Sequence, residues 1–235
     1  MKRFWNNASI GREGEGFIIL LDGRPMRMPG GGRLSIERES VAKAVAEEWQ
    51  TVGGEKGGEM TLEEVPLTRL LATAQDRIAP APEAMIEGLT KYAETDLLCY
   101  RAEDSRLAAR QAEQWQPLLD WAALQLDAPL RATETLMPVT QPEASLAALR
   151  AAVAKHDAGE LAALGLAVPA LGSLVLGLAL SHGRIDAAEA HRLAVLDETY
   201  QEERWGEDAE ATQRRAHVAS DIALAARLLE VVRAP

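Results

Sequence analysis

A single cysteine, Cys99, excludes an internal disulfide, and four scattered histidines show no metal spacing such as H-E-x-x-H or paired Cys-x-x-Cys. A reducing compartment is expected, with no metal and no cofactor. Positive charge is also in short supply. Against 36 Asp and Glu the chain sets 25 Lys and Arg, a net charge of -11. Nucleic-acid affinity comes mainly from Lys and Arg replacing condensed counterions, so nucleic acid is not an expected partner. The first residues, MKRFWNN, carry two basic side chains but no apolar run and no small-residue cleavage pattern, so neither an export nor a transit signal is expected. A cytoplasmic monomer is the working expectation.

Catalytic signatures are missing too. Gly11-Arg-Glu-Gly-Glu-Gly is faintly like a phosphate loop, but it precedes an extended run instead of joining a strand to a helix, and it lacks Lys-Ser or Lys-Thr. It reads as a turn. No Gly-x-Ser-x-Gly elbow is present, and no histidine stands near Cys99, whose thiol reads as buried and inert. The expected catalytic set is therefore empty.

What the chain does have is hydrophobic mass: 47% of its 235 residues are apolar, enough for a sizeable core. The segment Leu161 to Leu180 carries no charge and is long enough to cross a bilayer as one helix. Its Ala and Gly content, the interrupting Pro169 and the lack of aromatic anchors favour two short buried helices meeting near Pro169, the second closed by Gly183. A membrane span is the minority reading.

The chain divides by pattern into an α+β N-terminal domain over residues 1–80 and an all-α, orthogonal-bundle-like domain over 81–235. In the first, two extended runs flank Asp22-Gly23, a strong hairpin cue. Ser35 is placed to cap a helix whose first turn carries Glu37 and Glu39 and whose stripe is Val41, Val45 and Trp49. Gly53 to Gly58 reads as a loop. Beyond Pro66 the signal is helical. Leu67, Leu71, Ala74 and Ile78 form one stripe, Pro80-Ala81-Pro82 marks a hinge, and Ile86, Leu89, Ala93 and Leu97 form the next. Trp115, Leu118 or Leu119, Ala122 and Leu126 follow.

Two carboxylates fall on apolar faces. At about 100° per residue, Asp197 shares a side with Leu193, Tyr200, Gln201 and Arg204, while Glu198 and Glu202 point away. Asp96 shares the side of Leu89, Ala93 and Tyr100. An uncompensated buried carboxylate is costly, so each needs an arginine (Arg204, Arg101 or Arg69) or a set of hydrogen-bond donors. Three readings are open: internal ion pairs that fix helix register, an acid and base pair formed by Asp96 and Asp197, and a docking surface on which Tyr200 and Trp205 supply anchor area. Without a pocket motif, metal ligands or a nucleophile, the enzymatic reading ranks last.

Several motifs occur in one order: Asp22-Gly-Arg-Pro, Glu48-Trp49, Pro66-Leu-Thr-Arg-Leu, Tyr92-Ala-Glu-Thr-Asp-Leu-Leu-Cys-Tyr-Arg, Glu113-Gln-Trp-Gln-Pro-Leu-Leu-Asp-Trp-Ala, then Tyr200-Gln with Arg204-Trp-Gly. Together they resemble, over nearly the whole chain, the ATP synthase assembly chaperones that protect the alpha subunit, in a bacterial form of a protein otherwise found in the mitochondrial matrix. The resemblance implies a protein without a nucleotide cycle that keeps the free alpha subunit soluble and yields it to the beta subunit. Such a hand-over requires moderate affinity, because a tighter binder would block assembly. The resemblance also implies that the acidic position before Tyr200-Gln201, here Asp197, matters for chaperone action. The expected partner-binding set is Asp197, Glu198, Tyr200, Gln201, Arg204 and Trp205, with Trp49 and Asp96 structural or partner-linked.

Overall fold

The computed structural model describes residues 1–28, 31–135, 137–206 and 208–234. Three antiparallel strands and ten α-helices make an α+β architecture among these residues. The contacts divide the chain into two units, one formed by Met1–Ala81 with Ala158–Ala162 and Arg227–Pro235, the other by Pro82–Asp157 and Ala163–Ala226.

In the first unit, strands β1 (Ala8–Glu13), β2 (Gly16–Leu21) and β3 (Arg24–Pro25) lie in the order β1-β2-β3. The Asp22-Gly23 turn forms as the sequence suggests, with φ of 49° and 75°, the left-handed pair that a two-residue hairpin loop requires. The strand after it is shorter than expected, and the longer hairpin is the preceding one. Gly11-Arg12-Glu13 is not a turn but the end of β1, in register with Ile18, Phe17 and Gly16 of β2. β1 escapes notice because Ala-Ser-Ile-Gly-Arg-Glu offers one large apolar residue, and its pairing comes from the strongly apolar β2 opposite Ile10.

Helix α1 (Glu39–Thr51) buries Val41, Val45 and Trp49 as its stripe predicts, and packs on β1 and β2. Ser35 does not cap it. Ile36 exchanges both backbone bonds with Phe17, at 2.7 and 2.9 Å, so the chain stays extended there and the helix starts later, with Arg38 at its cap. Pro29 and Gly30 lie outside the described residues.

The unit is tied by buried polar groups. Arg3, only 3% exposed, donates to the carbonyls of Trp5, Gln50, Val52, Gly54 and Asn6, collecting the N-terminal segment and the end of α1. Glu48 reaches across to helix α2 (Pro66–Thr73) and accepts from Leu67 N at 2.7 Å, Thr68 N at 3.0 Å and Thr68 Oγ1 at 2.7 Å. A side chain of α1 thus supplies the N-terminal cap that Val65 and Pro66 cannot. Burial pushes the Glu48 carboxyl up, and these bonds partly offset it.

After α2 a π turn spans Ala74–Ile78, and α3 (Pro82–Thr90) begins at the expected proline. Helices α4 (Ser105–Gln125), α5 (Glu143–Val153), α6 (Ala158–Leu171), α7 (Leu174–Ser181), α8 (Ala187–Ala194), α9 (Leu196–Trp205) and α10 (Ala209–Arg233) follow. In the second unit α7 packs on α4 and α8, and α9 on α4 and α8. The apolar segment is two helices, but they do not meet at Pro169. That proline lies in the last turn of α6, where it forfeits a single backbone bond, and the break falls at Gly172 and Ser173. Ser173 caps α7 through Leu176 N at 3.0 Å. At Gly177 an added Cβ would stand 2.5 Å from Val168 Cγ2, so the glycine permits close packing of α7 on α6. No helix among the described residues is long and apolar enough to cross a membrane.

Candidate partner-binding site

The stripe expected to continue from α3 through residue 100 is broken. α3 ends at Thr90, a tight turn covers Lys91–Ala93, and Asp96 adopts φ -57° and ψ 132° at the head of a second tight turn, Leu97–Cys99. Asp residues favour such caps because the carboxylate bonds backbone N–H groups just downstream. Asp96 is fully buried, though not on a helix face. It accepts from Leu98 N at 3.1 Å, Ser173 Oγ at 2.7 Å and Val175 N at 3.0 Å. No arginine is among these partners; neutral donors at the start of α7 satisfy it. Burial pushes its carboxyl up to about 6, with the donors pulling the other way. Burial, followed by the Asp96 charge, raises the Cys99 thiol to about 12, which keeps it an inert core group.

Trp49 is also internal, 4% exposed. Its Nε1 donates to Thr68 Oγ1 at 2.8 Å, and its carbonyl accepts from Trp5 Nε1 at 2.9 Å. That bonding is the same network that holds Glu48 on α2.

The face of α9 is built differently. Leu196 and Tyr200 anchor the helix, and Gly206, at φ 91°, ends it directly after Trp205. Asp197 is half-buried, and its Oδ1 accepts from Gln111 Nε2 at 2.7 Å. The buried Gln111 is itself fixed, its Oε1 accepting from Ala102 N at 2.7 Å. Burial raises the Asp197 carboxyl, while the Gln111 bond and the nearby Arg101 charge oppose it. Arg204, a candidate partner for Asp197, pairs instead with Asp104 Oδ2 at 2.6 Å, and Tyr200 OH donates to Asp104 Oδ1 at 3.1 Å. Asp104 caps α4 through Arg106 N and Leu107 N, at 2.9 and 3.2 Å. The Leu107 bond, then Arg204, holds its carboxyl down at about 2. Arg69, the third candidate, lies in the other unit, on α2.

Glu198 and Glu202, expected to face water, are engaged by α10. Arg215 Nη2 binds Glu202 Oε1 at 2.5 Å, and Arg214 and Arg215 approach Glu198 Oε2 at 3.3 and 3.7 Å. Helical spacing gives each side chain its direction on α9 but cannot show that α10 folds back to cover the outer side. Gln201 and Arg204, expected inside, are exposed, and Trp205 is 73% exposed. The Arg204 guanidinium lies over the rings of both Tyr200 and Trp205, at 5.6 and 5.7 Å. Nearby, Asp208 Oδ1 accepts from Glu210 N at 3.0 Å, while Glu207 lies outside the described residues.

Three residues that position this face were not singled out from sequence: Asp104, Gln111 and Arg110, the last bound to both Glu203 oxygens at 2.9 and 2.8 Å. For Asp104 a signal existed, since Asp-Ser before an apolar-periodic run marks a helix start. Gln111 and Arg110 had none, because their roles depend on a helix about ninety residues away.

Asp96 and Asp197 share no hydrogen-bond partner: the first is enclosed by neutral donors, and the second is open on one side. Such an arrangement suits recognition, with a large exposed aromatic beside charges in fixed positions. The sequence model of the ATP12 chaperone protein family matches residues 2–123. The chain belongs to the ATP12 chaperone family. Over 99% of its length it is similar to the crystal structure of Atp12 from Paracoccus denitrificans, at 43% identity and a TM-score of 0.93, covering 98% of that chain. A protein of Agrobacterium tumefaciens gives 37% identity and a TM-score of 0.92 over 99% of this chain and 86% of that one. The mitochondrial protein atp12 of Schizosaccharomyces pombe is 26% identical over 222 residues, which are 88% of this chain and 75% of that protein. The resemblance drawn from the motifs is borne out: this is an ATP12-type assembly chaperone.

Proposed function

We propose that the protein binds the free alpha subunit of the ATP synthase catalytic head, keeps it from aggregating and yields it when the beta subunit arrives, acting as a cytoplasmic monomer without nucleotide hydrolysis. A free subunit exposes an apolar interface meant for its neighbour, and such a patch invites aggregation. Covering it requires binding energy but no chemistry. The observation that carries the reading is the α9 face, where Trp205 stands 73% exposed on the same helix as the half-buried carboxylate of Asp197. On this reading Asp197, Gln201, Arg204 and Trp205 meet the partner, while Tyr200 and Glu198 hold the face in place through Asp104 and α10.

Co-expression with the isolated alpha subunit is the direct test: the subunit should stay soluble with the chaperone and precipitate without it. Failure here, with a control chaperone succeeding, would sink the reading. Asp197→Asn separates docking from structure, because asparagine keeps the oxygen that accepts from Gln111 and removes the charge. Weaker capture with an unchanged melting temperature is the expected result; a large loss of melting temperature with intact capture would make Asp197 an internal strut.

A further inference from the structure

Charges around α9 are mostly matched: Arg204 with Asp104, Arg110 with Glu203, Arg215 with Glu202, and Arg192 with Glu189. Two half-buried groups stand apart from that pattern. Arg101 is held by its backbone, with its N–H donating to Thr133 O at 2.8 Å, and its guanidinium lies 5.5 Å from the centre of the Trp115 ring. Its side chain donates to the Leu98 carbonyl and, at 3.4 Å, to Gln116 Oε1. No carboxylate among the described residues comes within ion-pairing distance of it. Asp197, likewise, has an amide for its partner and, among the described residues, no cation in ion-pairing range.

Gln111 sets these two groups on one frame. Its Oε1 takes the N–H of Ala102, next to Arg101, and its Nε2 gives to Asp197, both at 2.7 Å. Burial acts first on each group, lowering the Arg101 pKa and raising that of Asp197, and each also feels the charge of the other. They are close enough to interact through space, with no direct bridge between them.

We propose that Arg101 and Asp197 form a two-charge recess that receives a matched pair from the captured subunit, a carboxylate onto Arg101 and a lysine or arginine onto Asp197. The inference rests on the reading of alpha-subunit capture given above and adds Arg101 as a contact residue. Partly desolvated charges without a direct ion-pair partner lose little further hydration when one is supplied, so the encounter is favourable where a fully solvated pair would break even. The fixed order of signs also sets register, since a segment with the opposite order would bring like charges together.

The test is titration calorimetry of the full-length chain against the isolated alpha subunit at two salt concentrations, with unfolding measured in parallel. Arg101→Gln should weaken binding about tenfold and flatten its salt dependence, while Arg101→Lys, which keeps the charge and carries the test if the glutamine variant is poorly folded, should stay within about threefold of the parent. The double variant Arg101→Gln with Asp197→Asn should lose about a hundredfold, because each group meets its own counterion. Unchanged binding by Arg101→Gln overturns the inference and leaves alpha-subunit capture standing. So does a double variant no weaker than the worse single one, which would mean that the two groups serve only each other. Equal losses in Arg101→Lys and Arg101→Gln with parental salt dependence would assign Arg101 to packing on Trp115. If the parent chain itself fails to bind, the functional reading falls, and this inference with it.

Discussion

Asp96 and Asp197 are both carboxylates drawn out of water, and the protein completes them in opposite ways. Around Asp96 two backbone N–H groups and a hydroxyl, all neutral, close on a fully buried carboxylate at the start of α7. Around Asp197 one glutamine amide occupies one oxygen, and the group is only half-buried. The first arrangement has no capacity left for a ligand. The second has capacity, charge and an exposed tryptophan on the same helix. Burial alone therefore does not distinguish the two acids; unused bonding capacity at a surface does.

The comparison breaks first on Asp96→Ala. Removing that carboxylate strands Leu98 N, Ser173 Oγ and Val175 N in the core, and buried donors without partners cost on the order of 1–3 kcal/mol each before relaxation. A loss of about 4 kcal/mol in urea unfolding is expected, with capture of the alpha subunit retained by the folded fraction. A loss under about 1 kcal/mol would show that the site is not sealed.

A pH profile sharpens the same contrast. The Asp96 carboxyl is raised from 3.8 to about 6, so the folded state holds its proton over a range in which the unfolded chain has lost it. Stability from that proton is present below the ordinary carboxylate range and is lost as pH rises through about 6, a change on the order of 3 kcal/mol. The stability of the parent relative to Asp96→Asn should therefore fall between pH 4 and pH 7. A flat difference across that interval would show that the three donors cancel the burial.

How far such sites are legible in sequence follows from what makes them. The α1 stripe and the Asp22-Gly23 turn were legible because local spacing and backbone preference decide them. Strand β1 was not, because its pairing is decided by β2. Asp96 was read as inward for the wrong reason: it is buried as a turn cap, bonded to residues 77 and 79 positions away. On α9 the inward direction of Asp197 and Tyr200 was legible. The cover supplied by α10, and the diversion of Arg204 to Asp104, depended on long-range packing that period counting does not reach.

Trp205→Ala addresses the open side directly. The indole is 73% exposed and its ring contact is with the Arg204 guanidinium, so the fold should lose little, under about 0.5 kcal/mol. Aromatic anchors at interface centres commonly carry about 2 kcal/mol, so affinity for the alpha subunit should fall roughly thirtyfold. Unchanged affinity would move the contact surface away from the end of α9 and leave the exposed ring without a role.

The smallest effect is expected on the side of α9 that α10 covers. Glu198 meets Arg214 at 3.3 Å and Arg215 at 3.7 Å, and its side chain is 42% exposed. Pairs of this kind contribute about 0.2–1 kcal/mol, because water screens them and two long side chains must be held still. Glu198→Gln keeps the length and a hydrogen-bonding oxygen, so unfolding should shift by less than about 0.5 kcal/mol and capture by less than about threefold. Adjacent on the same helix, Asp197→Asn should exceed that in capture while matching it in stability. If the two variants weakened capture equally, the partner would have to reach past Arg214 and Arg215, and the contrast between an engaged and an open face of α9 would have to be given up.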